Sequence, residues 1–316
     1  MKIAVIDMGT NTFHLLIVDV EGRSSFQTIY REKTAVKIGK DGINKGFITP
    51  EAQERALIAI RHFKTEIDKQ KVEKIYATAT SAIRNARNGQ ALVDRIRKDT
   101  GVEAKIITGL EEAEYIHFGV SHALELGSDK SLIMDIGGGS IEFIIADRKG
   151  IKWLQSFEIG GQRMVDKFHK SEPIAADEVS ALENFLFEEL SELFDACAKF
   201  QPGTLIGSSG TFDTLSEIYL RASGLQRNEY LTELPFDIKD FERIYQQIVG
   251  KDREARLAIP GMIPLRVDMI VVACILVKFV IDSLDLRRLR ISAYALKEGV
   301  LLKSIDSFLS QPRVKT

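Results

Sequence analysis

Cysteine and tryptophan are scarce in this chain, and neither sign of charge prevails. Its 316 residues hold two cysteines and one tryptophan, with 43 Lys and Arg against 45 Asp and Glu. Cys197 and Cys274 build neither a disulfide framework nor a thiolate metal site, and Cys274, inside an apolar run, reads as core. A formal charge of −2 argues against a general nucleic-acid binder, whose affinity rests on many basic phosphate contacts. A polyanionic substrate would need a local basic site instead. The longest apolar run, residues 269–281, contains Lys278 and is too short to span a bilayer. The N-terminus reaches Asp7 before a signal-peptide apolar region can form, so a cytoplasmic location is expected. No histidine cluster has zinc-motif spacing, and His14, His117 and His122 read as packing or surface residues.

What is present is a glycine hairpin, and it occurs twice. "VIDMGTNTFHLLIVD" (residues 5–19) aligns without a gap with "IMDIGGGSIEFIIAD" (residues 133–147), 128 residues later. Asp7 matches Asp135, Gly9 matches Gly137, Thr12 matches Ser140 and Asp19 matches Asp147. Three glycines in a row exceed what a turn demands, and they let successive backbone N–H groups crowd against an anion. On the second strand Ser140 and Glu142 share a face, so they and Asp135 can converge on the turn as a cradle for phosphate and a divalent cation. The plainer reading is that buried hairpins resemble each other. An acid–glycine–hydroxyl turn opening each half of the chain instead implies two similar domains facing across a cleft.

The rest alternates strand and helix, which implies an α/β architecture. Thr49 and Pro50 announce a helix over residues 51–69, with Ala56, Ile60, Phe63 and Ile67 at helical spacing. Residues 173–200 read as one long amphipathic helix, and "LRRLR" (residues 286–290) as a solvated strand edge. A third glycine–hydroxyl loop, "GSSGT" at residues 207–211, follows a short strand and opens a helix. It is either a phosphate-binding helix N-terminus or a plain turn capped by Thr211.

In this order, "DMGTNT", "ATATSAIRNA", "ITGLEEAEYI", "DIGGGSIE" and "GSSGT" resemble the exopolyphosphatase / guanosine pentaphosphate phosphohydrolase family. Echoes in "IPLRVDMI" and "ALKEGVLL" carry the resemblance nearly to the C-terminus. It implies an α/β fold of two RNase H-like domains, as in the actin/Hsp70/sugar kinase superfamily, around a central cleft. The expected domains are residues 1–127 and 128–316, with a final helix near 294–309 packing back on the first.

The resemblance also implies roles. Glu112 matches the glutamate that positions or deprotonates the attacking water, and Arg84 the arginine that meets substrate phosphate. Asp135 and Glu142 match the acids that hold magnesium, and Asp7, the repeat partner of Asp135, joins them as a candidate ligand. Gly9, Thr10, Asn11 and Thr12, then Gly137, Gly138, Gly139 and Ser140, match the two phosphate-binding turns. Ser208, Ser209, Gly210 and Thr211 form the third candidate loop. Read without the resemblance, Glu111 and Glu112 could equally offset a helix dipole, and Arg84 could be a solvated helix residue. Spacing favours Glu112, which shares an inward face with Ile116 and Gly119. Lys37, Lys40 and Arg266 lend charge to the cleft or lie on the surface.

The implied activity is magnesium-dependent release of terminal orthophosphate from polyphosphate, guanosine pentaphosphate or both, with no nucleic-acid or membrane partner and a homodimer left open. An ATP-dependent phosphotransferase and a non-catalytic polyphosphate or nucleotide sensor are the alternatives. Two departures stand out. The sequence has no His-Asp dipeptide of the helical extension found in long family members, so only the two core domains are expected. Ile141 replaces the usual Thr of the second glycine turn, with its side chain facing away from Glu142.

Overall fold

The two hairpins that align in sequence share one hydrogen-bond register. The computed structural model describes residues 1–22, 25–228 and 230–309. A meander of β1 (Lys2–Met8), β2 (Thr12–Val20) and β3 (Phe26–Ala35) leads to α1 (Pro50–Lys69), β4 (Lys74–Ala79), α2 (Ser81–Arg84), α3 (Gly89–Thr100), β5 (Ala104–Ile106) and α4 (Gly109–Ala123). A second meander follows, of β6 (Ser131–Ile136), β7 (Ile141–Asp147) and β8 (Gly150–Phe157), then α5 (Gly161–Phe168), α6 (Ala176–Glu189), α7 (Ser191–Phe200), β9 (Thr204–Ser208) and α8 (Ser209–Ala222). The remainder is β10 (Glu233–Leu234), α9 (Ile238–Val249), α10 (Arg253–Leu257), α11 (Met269–Ser283), β11 (Arg288–Ser292) and α12 (Leu296–Leu309).

One sheet has the order β3-β2-β1-β4-β5; the other repeats it as β8-β7-β6-β9-β11 and adds β10 at its edge. In each, the meander is antiparallel and the later strands run parallel to the first. That order is the one expected of RNase H-like domains, so the fold is α/β with the duplicated architecture that the aligned hairpins imply. The chain divides into two compact units, Met1–Gly119 joined by the segment from Leu296, and Val120–Ala295.

In the first unit β1 is buried along nearly its whole length, as a strand covered on both faces must be. Thr49 Oγ1 accepts from Ala52 N at 3.2 Å and Pro50 opens α1, whose Ala56, Ile60 and Phe63 face the core. Gly299 lets α12 lie against α4, since a Cβ there would stand 1.8 Å from the Tyr115 carbonyl oxygen. In the second unit α11 is buried all round from Met269 to Val277, including Cys274. No helix among the described residues is long and apolar enough to cross a membrane.

Two expectations change. Residues 173–200 form two helices, because Leu190 leaves helical geometry at φ −96°, ψ 17°. Leu186, Leu190 and Leu193 are all buried in one core, so apolar spacing runs through the break and hides it. "GSSGT" is not a loop: β9 passes directly into α8 and Thr211 lies inside the first turn, not at the cap. Two-residue β10 pairs β11 only at Ile291 and Ser292, beyond "LRRLR", whose residues 288–290 pair with β9 alone among the described residues and so keep the expected edge.

Candidate active site

The two glycine turns are built alike. Gly9 N donates to Thr12 O at 3.2 Å, and Gly137 N to Ser140 O at 3.1 Å. A Cβ at either glycine would meet that same carbonyl oxygen at 2.9 Å, so both positions require glycine. Each turn is held from behind by its carbonyls. In the first unit Val36 N and Lys37 N donate to Asn11 O, and Gly39 N to Thr10 O, at 2.9–3.1 Å. In the second, the start of α5 does this work: Gly160 N, Gly161 N and Gln162 N donate to the carbonyls of Gly139, Gly137 and Gly138, respectively, at 2.8–3.1 Å. Arg163 Nε adds a bond to Gly139 O at 2.8 Å. No acceptor among the described residues takes the amides of Gly138, Gly139 or Ser140. Such a run of backbone donors is an anion nest. In the first turn, Thr12 is 4% exposed and its Oγ1 has no hydrogen-bond partner among the described residues.

Beside the second turn two acids face each other. Asp135 and Glu142 are directly opposite in the β6–β7 ladder, both buried. Ser208 Oγ donates to Asp135 Oδ2 at 2.6 Å, and Ser156 Oγ to Glu142 Oε1 at 2.7 Å. Like charges placed opposite in a ladder repel, so a cation favours this pair. Two hard carboxylates suit magnesium, which keeps several waters and takes substrate oxygens rather than a full protein cage. No group of three or more His, Cys, Asp or Glu able to hold a metal occurs among the described residues. In the first unit the same register sets Asp7 opposite His14, so the two hairpins differ where the second carries its second acid.

The helix α4 separates its two neighbouring glutamates. Glu111 Oε2 accepts from Thr108 N at 2.9 Å while Glu111 N donates to Thr108 Oγ1 at 3.1 Å, a capping box. Lys105 at 2.6 Å and the Thr108 amide hold the Glu111 carboxyl below the usual range. Glu112 points the other way, 7% exposed, and its Oε2 accepts from Arg84 Nη1 at 2.8 Å. Arg84 Nη1 also donates to Ile107 O at 3.2 Å. Arg84 is therefore an anchored group and not a solvated helix residue.

Lys37 and Lys40 are exposed, beside the loop that backs the first turn. Arg266 is the opposite case, a buried guanidinium against Gly210. Ser156 and Arg163 were not legible as supports from sequence. Ser156 lies 14 residues from Glu142 and Arg163 24 from Gly139, with no motif linking either pair. The signal available was that "EIGGQR" places two glycines before an arginine, and Gly160 does touch Gly139, where a Cβ would come within 2.4 Å of its backbone.

A family model described as the Ppx/GppA phosphatase family matches residues 16–308. The crystal structure of an exopolyphosphatase from Cytophaga hutchinsonii is 45% identical, with a TM-score of 0.94 over 97% of this chain and 98% of its own. An exopolyphosphatase 1 from Mycobacterium leprae is 24% identical over 97% of this chain and 90% of its own length. A guanosine-5'-triphosphate,3'-diphosphate pyrophosphatase from Photobacterium profundum is 28% identical over 96% of this chain, which spans 59% of that relative. Matched along almost its whole length, and carrying the duplicated turn, the chain belongs to the Ppx/GppA phosphatase family.

Proposed function

We propose that the protein is a magnesium-dependent phosphohydrolase that releases terminal orthophosphate from a phosphoanhydride chain, inorganic polyphosphate or guanosine pentaphosphate. The observation that carries this reading is the amide nest at residues 138–140 beside the opposed, buried pair Asp135 and Glu142. Phosphoryl transfer needs positioning and charge neutralisation more than covalent chemistry, and that is what these groups supply. The names of the relatives, exopolyphosphatase and guanosine-5'-triphosphate,3'-diphosphate pyrophosphatase, support the substrate class.

In this reading the turn amides hold phosphate oxygens and Asp135 and Glu142 hold magnesium, with Ser208 and Ser156 fixing one oxygen of each. Asp7 serves the first turn in the same sense. Bound magnesium would neutralise phosphate oxygens as charge shifts during transfer. Glu112 orients the attacking water and accepts its proton. Arg84 fixes the Glu112 rotamer through its 2.8 Å bond and presents positive charge to a phosphate. A carboxylate of ordinary basicity suffices, because the water needs orienting more than deprotonating.

The test compares orthophosphate release from polyphosphate and from guanosine pentaphosphate at equal enzyme, with magnesium and without acceptor. Release from either supports the reading. An enzyme inert toward both that turns over ATP with an added acceptor is a phosphotransferase, and one that binds polyphosphate without releasing phosphate is a sensor.

A further inference from the structure

Both glycine turns are braced from behind at the same peptide. Asn11 in the first turn aligns with Gly139 in the second, and the carbonyl of each is held. In the second turn an arginine does this directly, since Arg163 Nε donates to Gly139 O at 2.8 Å. Arg163 stands in α5, the first α-helix after the second meander. The α-helix in the same place after the first meander is α1, and it too sends an arginine toward its turn. Arg55 of α1 is half-buried; its Nε donates to Val36 O at 2.7 Å and its Nη2 to Lys37 O at 2.9 Å. A helix arginine is ordinarily solvated or paired with an acid one turn away, and Glu51 stands at that spacing. Among the described residues Arg55 pairs with neither Glu51 nor any other acid, and both its bonds go to these carbonyls.

What Arg55 grips lies one peptide from the turn. The Val36 carbonyl and the Lys37 amide belong to a single peptide group. Arg55 takes the carbonyl, and Lys37 N donates to Asn11 O at 2.9 Å, beside Val36 N at 3.1 Å. The Asn11 carbonyl in turn shares a peptide with the Thr12 amide. Both peptides are trans, so each N–H points opposite its carbonyl. One line of donors results, from the guanidinium to Val36 O, from Lys37 N to Asn11 O, and on to the Thr12 amide, which is directed away from the loop. Hydrogen bonds in such a line polarise one another, and a cation at its head strengthens the last donor. Local geometry supports the brace. Lys37 has φ +47°, a left-handed conformation rare for a residue with a side chain. Strain of that kind persists only where the surroundings over-determine it, here through the two arginine bonds. Gly39 N donates to Thr10 O at 3.1 Å, and a Cβ on Gly39 would stand 2.7 Å from Thr10 Cγ2, so the loop lies tight against the turn.

We propose that Arg55 is a positioning residue for the first phosphate turn. Through the Val36–Lys37 peptide it aims the Thr12 amide at a substrate phosphate, as Arg163 aims the Ser140 amide in the second turn. This rests on the proposed function, which reads residues 9–12 as a phosphate-binding turn. It carries the duplication past the aligned hairpins, to a helix outside the alignment. Arg55 itself touches no substrate in this account.

The experiment joins steady-state phosphate release from polyphosphate to amide hydrogen exchange on the full chain. Arg55→Met keeps the apolar stem and removes both bonds. Its Val36 and Lys37 amides should exchange at least tenfold faster than in wild type, with the protection of β1 retained. Polyphosphate KM should rise about tenfold with kcat within a few-fold, the mark of lost binding with the chemistry intact. Arg55→Lys should recover part of both effects, because one donor remains. Arg61→Ala, at an exposed arginine of α1 paired with Asp99, should keep wild-type exchange and KM whatever it does to the melting temperature.

Unchanged exchange at Val36 and Lys37 in Arg55→Met, or a KM within twofold of wild type, would overturn the proposal. So would an equal rise in KM in Arg61→Ala, which would make the effect one of helix stability. If Arg55→Met does not fold, Arg55→Lys takes its place: faster exchange with a raised KM supports the brace, and wild-type values of both overturn it. Faster exchange in a protein inert toward both substrates would keep the brace and end the hydrolase reading. Hydrolysis with a KM indifferent to Arg55 would do the reverse.

Discussion

Arg84 Nη1 donates to Glu112 Oε2 at 2.8 Å, joining the C-terminal turn of α2 to the first turn of α4 across 28 residues. One side chain thereby sets the position of the acid proposed to handle water. Its neighbour Glu111 is committed to the capping box and to Lys105. Two adjacent glutamates have different work, and their variants should separate.

Glu112→Gln should lower kcat by about a hundredfold or more with KM within a few-fold, because it removes water handling and leaves phosphate binding intact. Glu111→Gln should retain most activity and lower the melting temperature slightly. Steady-state phosphate release and a thermal melt on both proteins check this; equal activity of Glu112→Gln and wild type would contradict it.

The Glu111 carboxyl should also leave a pH signature in stability. Its pKa is lowered on folding, chiefly by Lys105 and then by the Thr108 amide, so its stabilisation is present above the ordinary glutamate value and lost as pH falls through the folded value. Melting curves at descending acid pH should show a smaller decline in Glu111→Gln than in wild type. Parallel declines would remove the capping box as a contributor.

Asp135→Asn or Glu142→Gln should raise the magnesium needed for half-maximal rate, and Ser208→Ala should do so more weakly by releasing one Asp135 oxygen. Lys37→Ala, at an exposed position, should not. Metal titration curves that overlay wild type for both acids would place the metal elsewhere.

Gly160→Ala should raise the polyphosphate KM roughly tenfold or more although the residue touches no ligand in this account. Its methyl would come within 2.4 Å of the Gly139 backbone and push the amide nest out of shape. An unchanged KM would mean that the nest tolerates the shift and does not hold phosphate.

Arg256→Met should lower stability, because the fully buried Arg256 guanidinium pairs with the Glu172 carboxylate at 2.8 Å. Breaking a buried ion pair costs roughly 3–5 kcal/mol, and the half-exposed Glu172 partner puts this case at the low end. A melting temperature lower by about 5–10 °C is expected. Differential scanning calorimetry on Arg256→Met beside wild type checks this, and an unchanged melting temperature would contradict it.

The duplicated hairpin was legible because glycine turns and alternating strands leave marks at fixed spacing, and Asp7 with Asp135 occupies equivalent ladder positions as the alignment implies. Thr49 and Pro50 announced α1 for the same reason, since a cap is a local signal. What stayed hidden was the long-range pairing. Ser208 meets Asp135 across 73 residues, and nothing near either announces the other. The burial of Arg266 was equally silent, because an arginine in "PLR" is surface-like by composition and only the contact with Gly210 shows otherwise. The strand edge expected in "LRRLR" holds at residues 288–290, while β10, two residues long with no periodicity to read, covers β11 only at Ile291 and Ser292.

The central claim is hydrolysis of a terminal phosphoanhydride by this chain's own residues. Orthophosphate release from polyphosphate and from guanosine pentaphosphate, with magnesium and without acceptor, tests it most directly, with Glu112→Gln beside wild type. The account predicts release from at least one substrate by wild type and a loss of about a hundredfold in Glu112→Gln. No release from either substrate, or equal release by both proteins, would contradict it.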